Sequence, residues 1–176
     1  MTTATTPTRS TRSTRSTARE RGEGARPWLA LLVFAVAVGL AAGLGGAAAG
    51  SAGSEYASLE QPPFAPPSWL FGPVWTVLYV GIAVAGWLSW RAAGVDAAIA
   101  WWVVQLVLNA AWTPIFFGAG EYGWALVEIG FLLAAVVATI VVVRRRSTLG
   151  AWLLVPYLVW VGFASVLNAS IWWLNR

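Results

Sequence analysis

Trp101, Gln105, Asn109 and Trp112 recur at i, i+4, i+8 and i+11, the spacing that brings side chains to one stripe of a helix. A second stretch repeats the pattern with Trp160, Ala164 and Asn168 next to Tyr157, and a third sets Gly72, Trp75 and Tyr79 on one side. Indoles and phenols offer broad flat faces with a hydrogen-bonding edge, and amides add a donor and an acceptor. Such a set is poorly suited to acid or base catalysis. It is well suited to holding a flat aromatic molecule between stacked rings. Amides left unpaired in apolar surroundings cost several kcal/mol, so Gln105, Asn109 and Asn168 are expected to point inward. Mutual hydrogen bonding between helices would satisfy them equally. That reading accounts for the amides but not for the indoles beside them.

The chain has no cysteine and no histidine. Thiol chemistry, disulfides, Cys/His metal sites, His or Cys haem ligation and imidazole catalysis are therefore excluded. No metal and no cofactor is expected, and with Asp96 the only aspartate a hydrolytic carboxylate pair is hard to assemble.

The elements that must position these residues are apolar. Hydrophobic residues make up 59% of the 176 and charged residues 10%, far from a soluble composition. Uncharged or nearly uncharged runs at 28–50, 69–90, 97–117, 122–143 and 149–174 each reach the roughly 20 residues that cross a bilayer core. Segments such as VEIGFLLAAVVATIVVV lack the alternation of barrel strands. The expected fold is an all-α membrane protein, a bundle of five transmembrane helices. The thirteen tryptophans exceed what interfacial belts need, because Trp75, Trp112 and Trp160 fall a turn or more inside their spans. Glu128 interrupts the fourth run, and pairing with another buried polar group is the favoured reading over a proton relay.

Residues 1–27 repeat Thr-Arg-Ser and hold almost nothing that could build a core, so they read as a disordered basic tail, leaving 28–176 as the membrane domain. The first run is too long for a secretory signal core and carries GLAAG and GAAAG, small-residue pairs suited to close helix contact. Six arginines in the tail, Arg91 and Arg144 to Arg146 fall on one side of the spans, against Arg176 alone on the other. The N-terminus is therefore expected in the cytoplasm, of a bacterial plasma membrane by the further reading of the chain.

Between the first two runs lies PPFAPPSWLFGPVW. Pro62, Pro63, Pro66 and Pro67 fix their own φ and extend the residues before them, making a stiff connection that can act as a lid. Pro73 falls in the first turns of the second helix, where a missing N–H costs little.

Three blocks, PPFAPPSWLFGPVWTVLY, LNAAWTPIFFG and VPYLVWVGFASVLNASIWWLN, together with GWALVE, resemble the TspO/MBR family. This family comprises the tryptophan-rich sensory proteins and the translocator proteins once called peripheral benzodiazepine receptors. The likeness runs in order over residues 28–176. It implies a five-helix bundle, usually a homodimer in membrane lipid, whose pocket opens toward the first loop and binds porphyrins and synthetic aromatic ligands. The pocket residues it implies are Trp75, Asn109, Trp112, Trp160, Ala164 and Asn168, to which Tyr56, Pro66 and Gln105 are added as candidates. The chain departs from the family pattern at Glu55 with Tyr56, where a tryptophan-tyrosine pair is usual, and at Gln61 to Phe64, where a Lys-Pro-x-Trp run is usual. It offers Ala169 and Trp173 where sterol recognition needs a tyrosine and a basic residue, which argues against cholesterol. No nucleic-acid partner is expected. The function implied is a receptor, carrier or stress-linked sensor for a protoporphyrin-type tetrapyrrole. The alternatives are a light- and oxygen-dependent porphyrin-degrading enzyme, for which the resemblance makes Trp75 and Trp160 the candidate catalytic redox indoles, and a purely structural bundle.

Overall fold

The computed structural model describes residues 16–48 and 52–176, with side chains described from Pro27 onward. Six helices follow in order: α1 Ser16–Ala48, α2 Ala52–Ser58, α3 Phe71–Ala93, α4 Ala97–Thr113, α5 Tyr122–Arg144 and α6 Thr148–Leu174. Five stretches are long and apolar enough to span a bilayer: Pro27–Ala47, Ser68–Ala93, Ala97–Gly118, Tyr122–Arg144 and Thr148–Leu174. They match the five apolar runs closely, and the all-α expectation holds. Residues 1–15 of the expected tail lie outside the described residues, and α1 begins at Ser16, within the segment read as tail.

The helices close into a ring in the order α1, α3, α6, α5, α4, with each packed on the next. In a bilayer no water drives helices together, so close approach depends on small residues and on polar bonds between helices. Both occur between these helices. A Cβ on Gly86 of α3 would stand 2.7 Å from the Trp102 ring of α4 and 2.8 Å from Phe34 of α1. Gly81 lets α3 approach the Leu153 carbonyl of α6, where a Cβ would lie 3.1 Å from the oxygen. Thr139 Oγ1 of α5 donates to the Trp101 carbonyl of α4 at 3.1 Å and to Ala135 in its own helix at 2.7 Å. Among the five spans α5 is the most apolar and α4 the least, although α5 carries the acid.

At the end of the bundle that holds Arg91 and Arg144 to Arg146, the connections are short and capped. Gly94 ends α3 at φ 70°, a conformation that favours glycine. Asp96 then accepts from the Ala98 N–H at 2.9 Å to cap α4, and it is bridged to Arg146 beyond α5 at 2.7 Å. Partial desolvation pushes the Asp96 carboxyl up, but the Ala98 N–H and the Arg146 guanidinium outweigh it and hold the carboxyl below its usual range. A lowered carboxyl stabilises the fold above the unfolded-state value and loses that contribution as pH falls through the folded one. The thermal midpoint in detergent is therefore expected to drop more steeply between about pH 7 and about pH 3 in the parent than in Asp96→Asn. Parallel pH profiles would mean that the tie adds nothing.

The opposite end carries the lid. The proline-rich connection is not wholly extended, because α2 forms before it. Tyr56 of α2 donates to the Pro66 carbonyl at 3.1 Å, and Gln61 Nε2 donates back to the Tyr56 carbonyl. Helix and proline run are thus tied into one piece. The chain turns into α3 at Ser68–Leu70, where Leu70 N–H donates to Pro67 O at 3.0 Å.

Candidate functional site

Beneath the lid is a cavity of about 280 Å³ walled by α1, α2, α3 and the end of α4. Its aromatic surfaces are Tyr56, Phe71, Trp75, Tyr79, Trp112 and Phe117, and its polar groups include Asn109, Thr113 and Ser68. Ala42, Gly45 and Gly46 of α1 form the facing wall, whose lack of bulk makes the space. Among the described residues no charged side chain lines it.

Four of the candidate residues face this cavity. Trp75 stacks on Tyr79, with ring centroids 5.2 Å apart, and meets Tyr157 edge-on at 6.1 Å. Asn109 accepts from Tyr79 OH at 3.0 Å and donates to Tyr157 OH at 3.2 Å, so both ends of the amide are used and its orientation is fixed. Trp112 stacks on Phe116 at 4.8 Å and donates its indole N–H to Asn168 Oδ1 at 3.2 Å. Tyr56 is buried, meets Phe71 edge-on at 5.4 Å, and burial raises its phenol above the ordinary value.

The other candidates stand elsewhere. Asn168, 1% exposed, is a layer behind, accepting from Trp112 and donating to the Tyr122 carbonyl at 2.9 Å. Ala164 borders a void of only about 20 Å³ with Asn168, Phe71 and Trp112, too small for a ligand. Trp160 packs on Phe71 at 5.9 Å and Phe163 at 5.5 Å and borders an open apolar groove between α3 and α6 rather than the cavity. Pro66 contributes its carbonyl to Tyr56 and no surface to the cavity. Gln105 is fully buried, with Nε2 donating to Trp102 O at 2.7 Å and Oε1 unpartnered among the described residues. Trp101, on the same sequence stripe, is 40% exposed.

The structure thus splits the three stripes. Those of α3 and α4 meet at the cavity, while the α6 stripe buttresses them from behind through Tyr157 and Asn168. Glu128 departs from the expected pairing, since both carboxylate oxygens are buried with no hydrogen-bond partner among the described residues.

Sequence reasoning passed over Phe71 and Phe117 as cavity walls. The signal for Phe117 was Pro114, which lacks an N–H and opens the helix into a wide turn over Pro114–Gly118. Ala119 N–H bonds to Pro114 O at 2.9 Å, and Phe116 turns inward against Trp112 and Tyr122. The pairs GLAAG and GAAAG read as helix-contact motifs, yet a Cβ on Gly39, Gly43 or Gly46 would meet nothing within 4 Å, and Gly46 lines the cavity.

Five apolar helices, three of which wall an aromatic cavity, define an integral membrane protein. The TspO/MBR family model matches residues 29–174, and the chain belongs to that family. It is 38% identical to the translocator protein of Homo sapiens over 154 residues, covering 84% of this chain and 91% of the relative. It is 40% identical to the tryptophan-rich protein TspO of Archaeoglobus fulgidus over 148 residues, 82% and 96% of the two chains. The corresponding protein of Chlorobaculum tepidum is 41% identical over 124 residues, 68% and 78%.

Proposed function

We propose that the protein binds a porphyrin-type tetrapyrrole in the cavity beneath the lid, as a receptor, carrier or stress-linked sensor, with its arginine-bearing end in the cytoplasm. The observation that carries this reading is the juxtaposition of Trp75 and Trp112 in one cavity whose central amide, Asn109, is oriented by two tyrosines. Flat π-systems stack on such walls. At about 280 Å³ the space lies at the lower edge of small-molecule pockets. It therefore takes one edge of a macrocycle, the rest displacing the lid. Acidic substituents stay outside, because an uncharged wall cannot repay their desolvation.

The test is a plug. Gly72 borders the cavity, and a Cβ there would meet nothing within 4 Å, so Gly72→Phe adds bulk without strain on its neighbours. Saturable quenching of tryptophan fluorescence by protoporphyrin is expected in the parent. In the variant, affinity should fall at least about tenfold, the equivalent of about 1.4 kcal/mol, with an unchanged thermal midpoint. Equal affinity would place the ligand elsewhere.

A further inference from the structure

We infer that Asn175 is the latch that sets how often the lid opens. It is a positioning residue that no stripe or cavity wall includes. The inference takes the cavity as the binding site, but it concerns access rather than the identity of the ligand. Lid residues Ala52, Gly53 and Tyr56 form part of the cavity wall, so moving them exposes the interior. The internal bonds Tyr56 to Pro66 and Gln61 to Tyr56 make the lid travel as a unit.

That unit is held to the bundle by apolar packing and by polar bonds. Tyr56 is buried in a cluster with Phe116 and Ile171, on which Leu59 and Ala65 also pack, and Phe64 meets Phe163 edge-on at 6.3 Å. Tyr122 OH reaches Glu55 Oε1 at a long 3.4 Å. The best-formed polar attachment is Asn175, at the end of α6. Its Oδ1 accepts from the Glu60 N–H at 3.0 Å, and its Nδ2 donates to the Glu60 carbonyl at 3.0 Å.

One side chain thus pairs with both main-chain groups of a single residue 115 positions away. Only a carboxamide offers an adjacent donor and acceptor for this. Nδ2 also donates to the Ile171 carbonyl at 2.8 Å, which holds the amide in place on the helix end. The pairing with Glu60 is solvent-exposed. Water can replace it, so each bond contributes modestly and the latch can be released.

The absence of cysteine from the sequence permits a direct test. Thr113 lines the cavity, and in a Thr113→Cys background the rate of modification by a water-soluble maleimide reports lid opening without any ligand. Adding Asn175→Ala is expected to raise that rate about tenfold, since two hydrogen bonds are lost. Asn175→Asp, which keeps the acceptor for Glu60 N–H but not the donor, should fall between. Should Asn175→Ala fail to fold, Asn175→Asp decides, because losing the Nδ2 donor to the Glu60 carbonyl should by itself raise the maleimide rate. Maleimide rates unchanged in the folded variants would overturn the latch. Failure of protoporphyrin to bind the parent would overturn the proposed function but leave the maleimide result standing.

Discussion

Gly86→Val is expected to disrupt the corner where α1, α3 and α4 meet and to leave little folded protein in detergent. Any Cβ at Gly86 would sit 2.7 Å from Cε2 and Nε1 of Trp102 and 2.8 Å from Phe34 Cδ1, so the indole must move. It is poorly placed to do so. Trp102 is 3% exposed, its N–H donates to the Ile82 carbonyl at 2.8 Å, and Phe34 meets it edge-on at 4.9 Å. Displacing the ring forfeits that buried bond, at about 1–3 kcal/mol, on top of roughly 1–3 kcal/mol for overpacking. Together these come to about 2–6 kcal/mol, a large fraction of the roughly 5–15 kcal/mol that keeps many small domains folded. Gly86→Ala should show the same defect in milder form. Size-exclusion profiles and thermal midpoints of the three proteins check it. Near-equal midpoints would mean that the ring has an alternative seat.

At the cavity, Trp75→Ala is expected to weaken protoporphyrin binding about 10- to 100-fold, and Trp75→Phe to stay within about tenfold of the parent. Phenylalanine keeps much of the stacking surface, whereas alanine opens a gap beside Tyr79 and Tyr157. Trp160→Phe should change affinity little, because Trp160 stands behind Phe71 rather than at the cavity. The same variants separate a binder from a light-driven degrading enzyme. Indole is far more readily oxidised than a phenyl ring, so an enzyme using Trp75 would lose turnover in Trp75→Phe while still binding. For a binder, the porphyrin absorbance band should fade under illumination no faster with protein than in detergent alone. Accelerated fading by the parent and not by Trp75→Phe would move the assignment to the enzyme.

Span positions were legible because the bilayer demands about 20 apolar residues whatever the packing, and all five runs reappear as helices. The inward stripe of α4 was legible at Asn109 and Trp112, since an amide in a span has few tolerable places. It failed at Trp101, which is 40% exposed although its carbonyl accepts from Thr139 of α5. The α6 stripe was read as cavity wall, whereas Trp112 and Phe71 stand between it and the space. Periodicity tells which side of a helix faces inward, not how many side chains deep it lies. The pairing of Asn175 with Glu60 joins groups 115 positions apart, which spacing along the chain does not encode.

The contrast between α4 and α5 bears on how the protein enters its membrane. A span carrying Gln105 and Asn109 partitions poorly by itself, and Glu128 is a further cost to α5. The connection between them is only a few residues, with Gly120 at φ 65°, and Thr139 bonds across to Trp101. Such a pair is built to leave the insertion machinery as a helical hairpin, the apolar excess of α5 drawing its more polar neighbour in. Asn109 and Trp112 would then acquire their partners Tyr157 and Asn168 only when α6 follows. A chain inserted without α6 would lack both partners, so the cavity wall gains its fixed shape only once α6 has packed.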